Sequence, residues 1–237
     1  MAQLYSGTSG FAYPTWKPDF YPADVPAKKF LNYYGGRLNA VEINYTFRQL
    51  PSATTLENWV NSTPAHFIFA PKAHMRLTHI LRLKKHEFTG VFFQAIDPLR
   101  TARRLGPVLF QLPPAFKVDV EVLREFLAAL PEGIRVAFEF RHASWLVDPV
   151  YEVLAAHGVA LCLAESEKLV VPQVLTAPFV YSRLRKDDYS VAERQEIGAK
   201  AEQVLAGGRD AYVFFKHEDT PAGALYAEEL LRRFYTA

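Results

Sequence analysis

Residues 136–145 run VAFEFRHASW. Val136, Ala137, Phe138 and Phe140 have the near-continuous apolar character of a strand covered on both faces. Glu139, Arg141 and His142 then arrive within four residues, with Ser144 and Trp145 just beyond. Burying such groups without partners costs on the order of several kcal/mol each. A strand that ends this way needs other strand ends to supply partners, or a ligand for its polar groups to act on. Glu139 and Arg141, two apart in an extended chain, share a face. That is consistent with a structural ion pair at a barrel mouth and equally with a working site.

The same ending recurs twice, as FIFAPKAH at 67–74 and VFFKH at 213–217. Each is an aromatic-rich run leading into a cation and then a histidine. Five further runs have strand character: 3–10, 40–45, 107–112, 159–164 and 179–184. With 135–140, 67–72 and 211–216 they make eight. Helical patterns fall between most of them. Ser52 or Thr54 caps 52–62, and Asp119 opens 119–133, which stops at Pro131 and Gly133. Ser190 opens 190–208, which ends at Gly207 and Gly208, and Pro221 sits at the favoured first turn of 220–235. Residues 74–106 read as a loop followed by a helix across 87–105, and 166–177 carries no clear helix. The alternation predicts an α/β chain folded as a single-domain TIM (β/α)8-type barrel with one irregular crossover. The competing open doubly wound sheet lacks its G-x-G-x-x-G turn here.

Composition narrows the classes. The 237 residues are 50% hydrophobic and 14% aromatic, enough for one large core. A net charge of +2 is too small to mark a general nucleic-acid binder. The lone cysteine, Cys162, lies in an apolar run, which points to a reducing compartment and a cytoplasmic protein. No basic-then-apolar leader opens the sequence, and no run approaches the roughly 18 apolar residues of a membrane span. There is no H-E-x-x-H, G-K-[ST] phosphate loop, G-x-S-x-G elbow or C-x-x-C, which argues against zincin, P-loop and α/β-hydrolase chemistry.

In such a barrel the site forms at the C-terminal strand ends. Those ends carry Thr8 and Ser9, Glu42 and Asn44, Lys72, Gln111, Glu139, Arg141 and His142, Glu165, Arg183 and Arg185, and Lys216 followed by His217, Glu218 and Asp219. Four cations at four strand ends, Lys72, Arg141, Arg183 and Lys216, favour an anionic, oxygen-rich ligand. Glu42 and Glu139 are the expected proton-transfer pair, with Lys72 and His142 as further catalytic candidates. Thr8, Ser9, Asn44, Gln111, Arg141, Arg183 and Lys216 are the expected substrate contacts. The N–H groups of the GTSG turn at 7–10 are a further, weak candidate for an anion cradle. No motif implies a cofactor. A divalent metal held by Glu42, Glu139 and Glu165 with His217 and Asp219 stays open.

Several stretches carry a resemblance: GTSGFAYPTW, VEINYTFRQLPS, TPAHFIFAPKA, LGPVLFQLPP, FEFRHASW, HGVALCLAE and VYSRLR. They resemble the YecE-like family, also called domain-of-unknown-function family 72, from residue 6 to about 217. The resemblance implies a TIM-barrel fold and supplies no reaction. The family-like positions are Gly7, Thr8, Ser9, Gly10, Glu42, Asn44, Thr46, Phe47, Lys72, His79, Gln111, Glu139, Arg141, His142, Trp145 and Arg183. The chain departs from the pattern at Tyr45, Arg48, Glu165 and the segment FFKHED at 214–219. The expectation is an enzyme using acid–base chemistry on a small anionic substrate. A barrel that binds a metabolite or nucleic acid without turnover, and a metal-assisted phosphoesterase or isomerase, are the alternatives.

Overall fold

Each of the eight apolar runs forms a parallel strand in the computed structural model, which describes residues 1–216 and 220–235. The strands are β1 Leu4–Thr8, β2 Ala40–Ile43, β3 Ile68–Pro71, β4 Val108–Gln111, β5 Val136–Glu139, β6 Ala160–Ala164, β7 Phe179–Leu184 and β8 Asp210–Phe215. Six of them make one curled sheet in the order β1-β8-β7-β6-β5-β4, and β2 pairs with β3. Parallel bridges Phe69–Leu105 and Lys72–Leu109 tie β3 to the β4 segment. Neighbours in the ring are therefore neighbours in sequence, as the alternation predicts for a barrel.

The β1–β2 seam is closed by side chains. Asn39, just before β2, inserts its amide as a surrogate peptide: Nδ2 donates to the Leu4 carbonyl at 2.8 Å, and Oδ1 accepts from Ser6 N–H at 2.8 Å. The Tyr34 hydroxyl accepts from Thr8 N–H at 2.8 Å and donates to the Ala40 carbonyl at 3.0 Å. This packing leaves no room for a side chain at residue 7. A Cβ on Gly7 would stand 1.8 Å from the Ala40 oxygen and 2.7 Å from the Tyr34 oxygen.

Among the described residues eight α-helices surround the strands: α1 Phe30–Gly35, α2 Tyr45–Arg48, α3 Ala53–Asn61, α4 Phe88–Thr101, α5 Val120–Ala128, α6 Asp148–Ala156, α7 Val191–Ala206 and α8 Ala222–Phe234. The caps are those the sequence names. Ser52 accepts from Thr55 N–H, Asp119 from Val122 N–H, and Ser190 completes a reciprocal capping box with Glu193. Helices α1, α2 and α6 are not singled out by the pattern. Helix α6 is short and buries only Val150, Val153 and Leu154 at helical spacing. The helix expected over 87–105 stops at Thr101, and Arg103 takes a left-handed φ of 58°. Residues 166–177 form no helix. There the Thr176 hydroxyl satisfies β6, donating to the Val159 carbonyl at 2.7 Å and accepting from Leu161 N–H at 2.9 Å.

Inside the barrel the walls are unequal. Ala40, Ala70, Ala137 and Ala160 line one side, while Phe179, Tyr181, Tyr212 and Phe214 of β7 and β8 fill the space from the other. Large against small residues at fixed volume is how such interiors reach close packing. Two residues further along, on the same face, the apolar layer gives way to a polar one.

Tyr34→Phe strands a buried N–H and a buried carbonyl at the seam, and is expected to lower stability by about 1–3 kcal/mol. Gly7→Ala meets backbone rather than a movable side chain, so its thermal midpoint is expected to fall further than that of Tyr34→Phe. Thermal unfolding followed by circular dichroism checks both.

Candidate active site at the barrel mouth

The period of two along each strand generates the mouth. Ala40 leads to Glu42, Ala70 to Lys72, Leu109 to Gln111, Ala137 to Glu139, and Tyr181 to Arg183. All five polar residues are buried. Arg141 and Arg185 follow two residues above Glu139 and Arg183.

Arg183 is the hub. Its Nη2 donates to Glu42 Oε1 at 2.6 Å, and its Nη1 donates to Glu139 Oε2. Tyr181 donates its hydroxyl to Glu42 Oε2 at 2.9 Å. Gln111 Nε2 and Arg141 Nε both donate to Glu139 Oε1 at 2.8 Å. Lys72 Nζ donates to Gln111 Oε1 at 2.8 Å and lies 4.2 Å from the centre of the Phe47 ring. Arg185 Nη1 donates to Ser9 Oγ at 3.1 Å, and its Nη2 stands 3.7 Å from Glu42 Oε1. Arg185 Nη2 and Arg183 Nε are buried with no hydrogen-bond partner.

These contacts set the protonation states. Burial opposes ionisation of Glu139, but Arg183, Arg141 and Arg185 outweigh it and hold the carboxyl down at about 2. Glu42 is likewise depressed: burial raises it, and Arg183, Arg185 and the Tyr181 hydroxyl bring it lower. Lys72 is lowered as well, which for an ammonium favours the neutral form. Burial, with Arg183, lowers its ammonium to about 8 against the pull of Glu42 and Glu139. His79 packs edge-on against Phe47 at 5.1 Å, and burial with the charges of Lys72 and Arg141 lowers its imidazole.

The structure brings Glu42, Lys72, Gln111, Glu139, Arg141 and Arg183 into one connected network. Thr8, Ser9 and Asn44 lie beside it: Thr8 Oγ1 donates to the Gly10 carbonyl at 2.6 Å, and Asn44 Nδ2 donates to the Ser9 carbonyl at 3.2 Å. His142 is different. Its Nδ1 accepts from Ser144 N–H at 3.1 Å, capping the short turn Ala143–Trp145. Lys216 reaches Asp187 at 2.7 Å. The GTSG turn offers no cradle from its middle residues, because Thr8 N–H is taken by Tyr34 and Ser9 N–H by the Phe215 carbonyl. The residues missing from the expected set are Tyr181 and Arg185. The signal was present: Tyr181, Arg183 and Arg185 alternate along one strand and so share a face.

The expected carboxylate trio does not form. Arg183 stands between Glu42 and Glu139, while Glu165 Oε2 accepts from Arg185 N–H at 2.7 Å and from the Tyr189 hydroxyl. His217 and Asp219 lie outside the described residues. Among the described residues, no three His, Cys, Asp or Glu side chains are grouped to hold a metal.

Arg183→Met leaves two buried carboxylates without their shared cation, and is expected to cost about 3–5 kcal/mol in denaturant unfolding. Because the folded-state value of Glu139 is depressed, its stabilisation is complete above the unfolded carboxyl value of about 4.3. It is lost as pH falls from there toward about 2. Denaturation midpoints measured between those limits are expected to fall more steeply in the wild type than in Glu139→Gln.

The comparisons with known proteins follow the same outline. The UPF0759 protein YunF of Bacillus subtilis (strain 168) is 31% identical over 157 residues, which is 63% of this chain; the chain spans 54% of that relative's length. The crystal structure of a DUF72 family protein from Thermotoga maritima, TM1631, superposes with a TM-score of 0.86 at 26% identity, over 98% of both chains. A second DUF72 family protein, EF0366 from Enterococcus faecalis V583, gives a TM-score of 0.77 at 15% identity, over 100% of this chain and 99% of that one. No helix among the described residues is long and apolar enough to cross a membrane. The family model described as "Protein of unknown function DUF72" matches residues 5–237, and with a match over nearly its whole length the chain belongs to the DUF72 family.

Proposed function

We propose that the barrel mouth is the active site of an enzyme acting on a small anionic, oxygen-rich substrate, phosphorylated or carboxylated. One observation carries the reading. Four cations, Lys72, Arg141, Arg183 and Arg185, meet two carboxylates, Glu42 and Glu139, and one buried N–H of Arg185 has no acceptor. A surplus of positive charge, with Lys72 and Arg183 buried, Arg185 mostly so and Arg141 half-exposed at the opening, together with an unused buried donor, is stabilised by an anion.

The geometry redistributes the roles expected from sequence. Both terminal nitrogens of Arg183 are committed to carboxylates, so Arg183 organises the site and the anion falls to Arg185, Arg141 and Lys72. Glu42 and Glu139 are held ionised by three or more donors between them, which makes them weak proton carriers near neutral pH. They act as the counter-charge that keeps the arginines in place. Lys72 is the group matched to proton transfer, with its ammonium lowered to about 8. In its charged form it donates to a substrate oxygen. In its neutral form it takes a proton from a carbon or hydroxyl next to the bound anion. The Phe47 ring under Nζ keeps it aimed across the mouth.

Calorimetry with inorganic phosphate and a panel of phosphorylated and carboxylated metabolites tests the binding half. Arg185→Gln is expected to weaken the best ligand at least about tenfold, consistent with a lost charge-assisted hydrogen bond. If none of the panel binds the wild type, the reading falls. Lys72→Met is expected to weaken binding, since Lys72 is one of the anion's donors, and to abolish turnover of ligand bound at saturating concentration. If Lys72 is the base, turnover of the wild type rises with pH and levels off above about 8; a Lys72→Met chain with full activity removes Lys72 from the chemistry.

A further inference from the structure

No acidic residue occurs between Glu57 and Glu87. Within that stretch the segment that follows β3 holds Lys72, Arg76, Arg82, Lys84 and Lys85, together with His74, His79 and His86. The small net charge of the whole chain hides this concentration. The segment is also built rather than loose. Arg76–Ile80 forms a π-helical turn, and Arg82 and Leu83 take consecutive left-handed φ angles of 49° and 65°. Such conformations cost non-glycine residues about 1–2 kcal/mol each. They persist where the surroundings over-determine them, often at functional sites. Here Leu77 and Leu83 are buried anchors, while Arg76, Arg82, Lys84 and Lys85 remain exposed.

Its contacts place the segment on the rim. His74 Nε2 lies 3.2 Å from the Arg48 carbonyl, bringing it to the end of α2. Arg82 lies over Phe116, at 5.8 Å, in the loop after β4. His79 packs on Phe47, the ring that carries Lys72. Arg48, the 76–85 cations, Lys117 and Arg141 thus come from the loops after β2, β3, β4 and β5, four successive positions around the mouth. Several cations elsewhere are paired: Arg37 with Glu228, Arg135 with Asp210, Arg194 with Glu229 and Arg233 with Glu202. Among the described residues, none of Arg48, Arg76, Arg82, Lys84, Lys85 and Lys117 has a carboxylate partner. A single small anion is satisfied by the interior cations, so this arc of exposed positive charge is surplus to it.

We propose that the rim is a docking surface for single-stranded nucleic acid, the arc tracking the phosphate backbone. Exposed cations that are left unpaired along one side of a cleft match a chain of phosphates. Tyr45, 47% exposed and braced edge-on by Trp59 at 6.2 Å, adds an aromatic face beside Arg48 on which a base stacks. This rests on the rim cations and not on the mouth chemistry. If the proposed active site is also right, the strand presents one phosphate to Lys72, Arg141 and Arg185.

The test is fluorescence anisotropy of a labelled single-stranded oligonucleotide of about 12 nucleotides, long enough to cross the rim, titrated with the full chain at low and at physiological salt. Binding that weakens steeply with salt is expected. The variant Arg76→Glu, Lys84→Glu, Lys85→Glu is expected to lose more than about tenfold in affinity, with an unchanged melting curve and unchanged calorimetry of small anions. Tyr45→Ala is expected to lose about fivefold or more, the loss of one stacked base. Lys72→Met keeps oligonucleotide affinity within a few-fold even where it abolishes turnover, so failure of the rim and failure of the mouth are separable. No binding at low salt overturns the proposal. So does undiminished binding by the triple variant, or equally tight binding to polyglutamate or anionic vesicles, which would assign the rim to an acidic protein or a lipid surface.

Discussion

One guanidinium shared by two buried carboxylates holds the mouth of this barrel together. Arg183 reaches from β7 across the interior to Glu42 on β2 and Glu139 on β5. Removing three charges from water is expensive, and the mutual attraction compensates only when the hydrogen bonding is nearly complete. Here it is nearly so: Tyr181, Gln111 and Arg141 take the remaining carboxylate lone pairs. The network leaves its deficit on the cationic side, in the unpartnered N–H groups of Arg183 and Arg185. It is this shortage of acceptors for its donors that supports the proposal of an anionic ligand.

In the proposed function the same arrangement separates charge-holding from proton transfer. Glu139 and Glu42 are ionised because they are surrounded by cations, and for that reason they have little tendency to accept a proton. Lys72 sits at the edge of the network, bonded to a neutral amide and backed by an aromatic ring, with burial and Arg183 lowering its ammonium. Two kinds of ionisable group in one cavity, the carboxyls held charged by cations and the ammonium shifted toward its neutral form chiefly by burial, is the usual basis for assigning acid–base roles.

Charge is distributed around the barrel as unevenly as it is within it. Several cations on the helical surface and at the opposite end are matched to carboxylates, whereas among the described residues Arg48, Arg76, Arg82, Lys84, Lys85 and Lys117 of the β2 to β4 loops are not. The constraint behind this is the segment 74–87, whose buried leucines and left-handed backbone fix the exposed side chains in place. At the β1–β2 seam the opposite device operates, since Asn39 and Tyr34 supply with side chains the hydrogen bonds the two strands do not make. That substitution is possible only because residue 7 has no Cβ.

The architecture was legible in the sequence because parallel strands buried on both faces leave long apolar runs, and capping residues mark helix starts. Alternation along VAFEFRH put Glu139 and Arg141 on one face, and the same rule applied to the other strand ends located Glu42, Lys72, Gln111 and Arg183. What the pattern could not assign was which donor meets which acceptor. His142 has the residue type of a catalyst, yet caps a turn, and Arg183 has that of an anion ligand, yet is consumed by Glu42 and Glu139. Arg185 and Tyr181 belong to the network, although one reads as a strand-end cation and the other as core. Local sequence determines which face a side chain occupies, since the strand period is a property of the backbone. Pairing across the barrel depends on distances between strands far apart in the chain, and only closure of the eight-strand ring sets those.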